Sequence, residues 1–271
     1  MRNLKFFGAL ILLWALAGCG GTASPHCNPC RTAPFKPQGE ALFSINFDDG
    51  FQSAYDNGLP ILDAAGFKTT QFIITGRFET PGYISSSDVL VMESHGHEIA
   101  AHTRTHPYLA GMSQAAQQNE ILGSYQDLTG LLGHPPANFA YPYGSRDDTS
   151  ISLVKSTGFS SARVIGVNFH PDDETAFCGL NNPASDRLNL AACAIDANTQ
   201  FSDVQNWIDT ALAAQANGQQ VWLIMVIHRV DETGNTISIT HQMVQQVVDY
   251  LSQKGIVPIT QSEGLKALNL N

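Results

Sequence analysis

Residues 41–50 read ALFSINFDDG, an apolar stretch that ends in two adjacent acids and a glycine. The apolar part, Ala41–Phe47, predicts a buried β-strand, and Gly50 lets the chain turn directly after it. The next stretch, Gln52–Ala65, predicts a helix, and Thr69–Thr75 predicts a second strand because it is rich in β-branched residues and Phe. The chain therefore begins its fold with a strand, a helix and a strand.

The same alternation continues along the chain and predicts its fold class. The further predicted elements are the helix Ser87–Ser94, the strand His97–Ala101, the helix Ser113–Leu132, the short strand Phe139–Tyr141, the helices Asp147–Thr157 and Ser202–Ala216, the strand Val221–Ile227, the helix His241–Ser252 and the strand Ile256–Ile259. Repeated strand–helix units predict a single α/β domain with a parallel sheet or barrel. In such folds functional side chains gather where the strands end.

Composition excludes several classes of protein. The chain has 271 residues, 43% of them hydrophobic and 14% charged, which excludes a disordered polyelectrolyte, a collagen-like chain and a small disulfide knot. It carries 14 Lys and Arg against 24 Asp and Glu, a formal net charge of −10. Nonspecific binding to nucleic acid or to an anionic membrane needs the opposite excess, so we expect no nucleic-acid partner.

The first 18 residues are typical of an export signal. The apolar run Phe6–Leu16 is too short for a bilayer, which needs about 20 residues, but suits a secretory signal. It ends in Leu-Ala-Gly-Cys at 16–19, which resembles the lipobox of bacterial lipoproteins and implies lipid on Cys19. An ordinary signal peptide, cleaved near Gly18 or Ala23, is the alternative.

That resemblance predicts a location and a domain organisation. Gly20 after Cys19 implies an outer-membrane lipoprotein of the cell envelope, facing periplasm or exterior and touching the membrane only through its lipid. Residues 19–40 are rich in Gly, Pro, Ser and Thr and predict a flexible tether. The predicted folded domain is 41–271.

The other four cysteines are an even number in a compartment where disulfides persist. We expect Cys27 to pair with Cys30 in the tether and Cys178 to pair with Cys193 in a long loop. A redox or zinc motif at Cys27 and Cys30 is the alternative, although no second Cys pair or following helix supports it.

Three predicted strand ends carry side chains suited to metal-assisted hydrolysis. Asp48 and Asp49 end the first strand, where a bend could direct one acid to a metal ion and leave the other as a base. A solvated Asp-Asp-Gly turn is the alternative. His102 and His106 follow another strand at a spacing that lets two imidazoles reach one ion, and His228 ends the apolar strand 221–227.

Four motifs in this order resemble one known family. They are Phe-Asp-Asp-Gly at 47–50, His-Thr-x-x-His at 102–106, Tyr-Pro-Tyr-Gly at 141–144 and the strand that ends in His228. Together they resemble the polysaccharide deacetylases of carbohydrate esterase family 4, also called the NodB-homology domain, over about residues 41–260.

The resemblance implies a fold, a reaction and a role for each matching residue. The fold would be a distorted (β/α) barrel with about seven parallel strands. The reaction would be removal of acetyl groups from an acetylated glycan that contains N-acetylglucosamine, with O-acetylated xylan also open. The implied roles are a divalent ion, Zn²⁺ before Co²⁺ or Ni²⁺, on Asp49, His102 and His106, Asp48 as base, His228 as acid, the backbone N–H of Tyr143 as oxyanion donor, and substrate contacts by Tyr141, Pro142 and Gly144.

The chain departs from the family pattern in two places. Ala140 stands where the family's third motif has an Arg that tethers the catalytic Asp, and Arg163 and Arg187 are candidate replacements. The fourth motif, an Asp that supports the catalytic His, has no clear match. A carbohydrate-binding lipoprotein that has lost catalysis is therefore the alternative function. A two-carboxylate glycosidase fits less well, because the adjacent Asp48 and Asp49 do not easily flank one bond.

Overall fold

A computed structural model describes residues 39–165 and 178–270, which form an α/β domain around one parallel sheet. Its strands, in the spatial order β5-β4-β3-β2-β1-β7-β6, are β1 (Ala41–Asp49), β2 (Thr70–Ile73), β3 (Glu98–Ala101), β4 (Asn138–Ala140), β5 (Ser161–Arg163), β6 (Cys193–Ala194) and β7 (Val221–Ile227). Every strand pair in this sheet is parallel. The predicted seven-stranded distorted barrel in a single α/β domain is confirmed.

Helices surround the sheet. They are α1 (Leu59–Ala64), preceded by a π-helical turn (Ala54–Gly58), α2 (Ser86–Ser94), α3 (Gln114–Leu132), α4 (Asp148–Thr157), α5 (Phe201–Ala216), α6 (His241–Gln253) and α7 (Gln261–Leu268). Short 3-10 turns cover Thr75–Arg77 and Pro142–Gly144, and two short strands, β8 (Arg229–Val230) and β9 (Ser238–Ile239), pair separately. Among the described residues, no helix combines the length and apolar character needed to cross a membrane.

Strands β1 and β7 form the centre of the core. They pair over seven positions, from Ala41 with Val221 to Phe47 with Ile227, and β7 is buried along its whole length. A strand covered on both faces has no solvent side, which is why 221–227 reads as an unbroken apolar run. On one face, β1 and β7 pack against apolar residues of α5 and α6.

One segment links the two edges of the sheet. Leu190 pairs with Arg163 of β5, and Cys193, three residues later, pairs with Met225 of β7. A disulfide joins Cys193 to Cys178, so this predicted pairing is confirmed. The predicted signal, Cys19, and the pair Cys27 and Cys30 lie outside the described residues.

The interior of the barrel is polar below the strand ends and is closed by α7. Gln261, the first residue of that helix, lies 3.0 Å from the Asn46 amide and donates to Ser161 Oγ at 2.9 Å. Ser161 donates to Asn138 Oδ1 at 2.6 Å, and Asn138 donates to Glu98. The bonds among Ser161, Asn138 and Glu98 join the neighbouring strands β5, β4 and β3, and Gln261 links β1 to β5, which are not neighbours in the sheet.

The structure corrects the predicted C-terminal end of the fold. Ile256–Ile259 does not form a strand, because its contact with β1 is limited to bonds such as that from Ile259 N–H to Phe43 O at 2.9 Å. The helix α7 follows and was missed, although Thr260 and Glu263 form a capping box at its start. The strands β5 and β6 were also missed, since three and two residues are too few for a period to show.

Close packing of α7 gives a test of the fold. A Cβ atom added at Gly264 would lie 2.4 Å from Trp222 Cζ2, and Trp222 is fully buried with its indole N–H bonded to Ser44. We expect Gly264→Ala to lower the free energy of unfolding by roughly 1–3 kcal/mol, because a fixed ring must move. Urea unfolding measures this.

Gly130 in α3 is the matched control. A Cβ atom there meets no atom within 4 Å, so Gly130→Ala should raise the free energy of unfolding by up to about 1 kcal/mol. If Gly264→Ala were as stabilising as Gly130→Ala, the described contact between α7 and Trp222 would be wrong.

Candidate active site

The carboxyl ends of β1, β3 and β7 meet at one edge of the sheet and open into a cavity of about 210 Å³. Residues from distant parts of the sequence line it together: Asp48, Asp49, His102, His106, Tyr143, Ile165, Ala194, Asp196, His228 and Ile237. The structure thus brings the two acids, the paired histidines and the strand-end histidine into one space. Four of the lining residues were not singled out by the sequence: Ile165, Ala194, Asp196 and Ile237.

Three ligand-type side chains converge closely in this cavity. The Nε2 atoms of His102 and His106 are 3.1 Å apart, and Asp49 Oδ1 lies 3.4 Å from the first and 3.3 Å from the second. Ligand atoms about 2.0 Å from a tetrahedral ion lie about 3.3 Å from one another, so this triangle has the size of a metal site. Asp49 Oδ1 is buried and has no hydrogen-bond partner among the described residues. The donor set and this unpartnered oxygen both fit a divalent cation.

Protonation in the cavity also suits metal binding. His102 Nδ1 lies 2.8 Å from the carbonyl oxygen of Ala140, which only accepts, so Nδ1 carries a proton and Nε2 is the ring nitrogen that faces Asp49 and His106. Burial lowers the pKa of His102, but Asp49 and Asp48 raise it above the usual imidazole value, so an ion bound at Nε2 would replace a proton there. Burial and the neighbouring His102 lower the pKa of His106 to about 4, which keeps it neutral at neutral pH. Burial alone would raise the pKa of Asp49, but His102, His228 and His106 lower it well below the usual carboxyl range.

The second acid, Asp48, has a different partner. Arg163 is fully buried on β5 and donates from Nη2 to Asp48 Oδ1, while its guanidinium carbon lies 4.2 Å from the centre of the Phe72 ring. Arg163 is the register partner of Ala140 on the neighbouring strand. The cation thus lies one strand away from the position where the resemblance leads one to expect it. Arg187 is not brought to the site, since it donates to the carbonyls of Phe159 and Ser160.

The Tyr141–Gly144 turn corrects one expectation. Tyr141 is fully buried, packed edge-to-face on Phe139, so its ring is not available to stack on a sugar. Pro142 and Gly144 are buried as well. Tyr143 is the exposed member of the turn and has a left-handed backbone with φ of 57°. Its ring centre lies 4.4 Å from that of His106 and 4.1 Å from that of Tyr108, on which it stacks.

His228 reaches the cavity from the end of β7 and is partly buried. Its Nδ1 atom is buried and has no hydrogen-bond partner in the described part of the chain. Three acids lie in the part of the sequence where the family's fourth motif is expected: Asp172, Asp173 and Asp186. Asp186 caps its own turn by accepting from Leu188 N–H, and Asp172 and Asp173 fall in 166–177, outside the described residues. Sequence reasoning also missed Asp196, which follows β6 and therefore lies at the same edge as the other strand ends. The strand that precedes Asp196 has two residues and is too short for a sequence pattern to predict.

Residues 36–162 match the family model of polysaccharide deacetylases. The chain is 26% identical over 220 residues to a chitin deacetylase from Pestalotiopsis sp., covering 80% of this chain and 61% of that protein. It is 29% identical over 128 residues to a poly-beta-1,6-N-acetyl-D-glucosamine N-deacetylase from Staphylococcus aureus, covering 42% of this chain and 44% of that protein. The matched part is thus less than two thirds of the length of either relative.

A solved structure has the same fold. It is the Xyl-CE4 domain of a multidomain xylanase from the hindgut metagenome of Trinervitermes trinervoides, with a TM-score of 0.57 and 20% identity. The match covers 85% of this chain and 92% of that domain.

The buried ion pair between Arg163 and Asp48 can be tested by a double-mutant cycle. Arg163→Met leaves the Asp48 carboxylate buried without its cation, so the free energy of unfolding should fall by about 3–5 kcal/mol. Asp48→Asn added to Arg163→Met should recover part of this loss, because no unpaired charge then remains. Urea unfolding of the four proteins measures the coupling, and purely additive losses would contradict it.

Proposed function

We propose that the protein hydrolyses acetyl groups from an acetylated polysaccharide or oligosaccharide containing N-acetylglucosamine, with the help of one divalent metal ion. The match of residues 36–162 to the family model of polysaccharide deacetylases supports this proposal. The observation that carries this proposal is the triangle of Asp49 Oδ1, His102 Nε2 and His106 Nε2 at metal-site dimensions. A separately held acid, Asp48, lies directly beside it. The names of the relatives, which deacetylate chitin and poly-N-acetylglucosamine, support the substrate class.

In this proposal Asp49, His102 and His106 hold the ion, with Zn²⁺ preferred over Co²⁺ or Ni²⁺ because imidazole and carboxylate are common ligands of Zn²⁺. When bound, such an ion polarises a carbonyl oxygen and lowers the pKa of water. The chain's own contribution is to orient one imidazole ligand and to keep the other neutral. His102 is oriented by the Ala140 carbonyl, and His106 is neutral.

Asp48 is the proposed general base. Its Oδ1 atom accepts from Arg163, and its other oxygen, Oδ2, lies 4.0 Å from His102 Nε2, on the side of the ligand set. The bond to Arg163 fixes the position of the Asp48 carboxylate in the barrel wall. From this position Asp48 accepts a proton from the attacking water.

His228 and Tyr143 complete the proposed reaction. His228 donates a proton to the departing amine, or to the alcohol if the acetyl group is an ester, from a different strand than Asp48. The backbone N–H of Tyr143 donates to the oxyanion that develops on the carbonyl. Water and the acetylated sugar are consumed, and acetate and the deacetylated sugar are released.

We also propose that the protein is exported and held in the cell envelope by lipid on Cys19. The apolar run Phe6–Leu16 and the Leu-Ala-Gly-Cys sequence at 16–19 support this location. An acetylated envelope or extracellular glycan would then be within reach of the site.

Acetate release tests the function. The substrates are chitin oligosaccharides, poly-β-1,6-N-acetylglucosamine, peptidoglycan and acetylated xylan, each with native protein, chelated protein and chelated protein given Zn²⁺ again. We expect release from at least one glycan, loss on chelation and recovery with Zn²⁺. Asp48→Asn should lower the rate by about 10²-fold or more, because general base catalysis contributes about that much.

The matched control for Asp48→Asn is Asp56→Asn, which changes an exposed acid that bonds to Gln52 outside the cavity. Release that survives both chelation and Asp48→Asn would refute the proposed reaction. Metal binding without release from any glycan would favour the carbohydrate-binding alternative.

Moving the arginine from β5 to the neighbouring strand β4 tests whether Arg163 holds the general base Asp48 in position. Arg163→Ala should lower kcat about tenfold or more with KM changed less than about twofold, since Arg163 holds Asp48 without contacting substrate. Because Ala140 is the register partner of Arg163, the double change Ala140→Arg with Arg163→Ala should regain part of kcat.

Arg187→Ala is the control for this transposition and should leave kcat unchanged, because its guanidinium bonds to the Phe159 and Ser160 carbonyls outside the cavity. If Arg163→Ala raised KM alone, or if Arg187→Ala matched its effect on kcat, the assignment of the tether would be wrong.

A further inference from the structure

The segment His102–His106 has a backbone that needs outside support. Thr103 and His106 have φ of 64° and 65°, a left-handed conformation that L residues rarely adopt. Such conformations cost of order 1–3 kcal/mol each and persist only where the surroundings impose them. Thr103 is β-branched, which makes the cost at that position higher. The convergence of the His102 and His106 imidazoles therefore depends on contacts that hold the loop between them.

Glu120 on α3 supplies the central contact. Its Oε2 atom accepts from the backbone N–H groups of Arg104 and Thr105 at 2.9 and 2.8 Å, and its Oε1 atom accepts from Thr105 Oγ1 at 2.8 Å. Glu120 is buried. Both oxygens of one buried carboxylate are thus bonded to two of the three residues that lie between His102 and His106.

Neighbouring contacts close the loop against α3. The Arg104 guanidinium donates to Asp127 at 2.8 and 2.7 Å, and the Arg104 carbonyl accepts from Gly76 N–H at 2.8 Å. A Cβ atom added at Gly76 would lie 2.5 Å from the Arg104 backbone oxygen, so the approach of these two backbones requires glycine. A Cβ atom added at Gly123 would lie 2.5 Å from Arg104 Nε, so the guanidinium would have to move. The side-chain pair with Asp127 is partly exposed, whereas Glu120 binds backbone in the interior.

We propose that Glu120 is a positioning residue for the metal site: by binding the N–H groups of Arg104 and Thr105, it fixes the left-handed loop that sets His102 and His106 at coordination distance. Glu120 touches neither imidazole, nor is it among the residues that line the cavity. Its effect is on the affinity for the ion. This inference rests on the proposed metal site.

The test is binding of Co²⁺ and Zn²⁺ alone to chelator-stripped protein, by calorimetry and by the visible absorption of bound Co²⁺. Glu120→Gln keeps the shape but turns an amide donor or a weaker acceptor toward the two N–H groups. We expect its affinity to fall about 10–100-fold, the usual cost of losing a residue that orients metal ligands. The Co²⁺ spectrum should change as well.

Gln117→Ala is the matched control, on the same helix. Gln117 is fully buried and donates to the Met112 carbonyl and to Asp147, away from the loop. This variant should lower the melting temperature yet bind Co²⁺ within about twofold of the native protein, which separates loss of stability from loss of positioning.

Thr105 provides a second variant pair that does not disturb the interior. Thr105 is exposed, and Thr105→Val removes only the hydroxyl that donates to Glu120, so a few-fold loss of affinity is expected. Thr105→Ser keeps the donor and should bind as the native protein does.

The outcomes separate the two proposals. If native protein binds neither ion, the proposed metal-dependent function fails and this inference fails with it. If native protein binds and both Glu120→Gln and Thr105→Val bind equally tightly, only the positioning role of Glu120 is overturned.

Discussion

Two adjacent carboxylates at the buried end of β1 are the constraint that the rest of the site satisfies. Asp48 is 1% and Asp49 6% exposed, so neither charge is stabilised by water. Two like charges in a buried position repel strongly and each needs its own compensation. The bend at Asp49, with φ of 73°, separates them. Asp48 pairs with a cation on β5, and Asp49 faces two imidazoles that follow β3.

The barrel interior is built to admit the compensating cation. Arg163 fits because the side chains near it are small or flat: its register partner is Ala140, Ala100 packs with Ala140, and the guanidinium lies over the Phe72 ring. The guanidinium has five donors, so a buried position demands acceptors. Asp48 accepts from Nη2, and the Asn46 amide accepts from Nε at 3.2 Å when its oxygen is turned toward Arg163, whereas Nη1 has no partner among the described residues. The polar side chains in the barrel interior below, which Gln261 of α7 closes off, are likewise joined to one another by internal hydrogen bonds.

The loop that carries the two imidazoles takes its conformation from a packed helix, α3. Their Nε2 atoms lie 3.1 Å apart, so the two rings face each other through the nitrogens proposed to hold the ion. The backbone that delivers them is itself strained at Thr103 and His106. α3 is a helix of 19 residues packed on the sheet; its Glu120 side chain binds that backbone, and its Asp127 side chain binds the Arg104 guanidinium. The strain of the loop is thus balanced by hydrogen bonds from an element that cannot easily move.

The sequence by itself determined the fold class and the order of the strands that carry chemistry, because unbroken apolar runs followed by polar residues are local signals. It also predicted the Cys178–Cys193 pairing, because an even number of cysteines in an oxidising compartment favours disulfides. The tertiary structure alone decided that Arg163 rather than Arg187 meets Asp48, since that depends on the register of a three-residue strand. It also decided that Tyr141 is buried while Tyr143 is exposed, and that Glu120 binds the histidine loop. Side-chain direction at a bend and contacts between distant segments follow from packing, which no local pattern encodes.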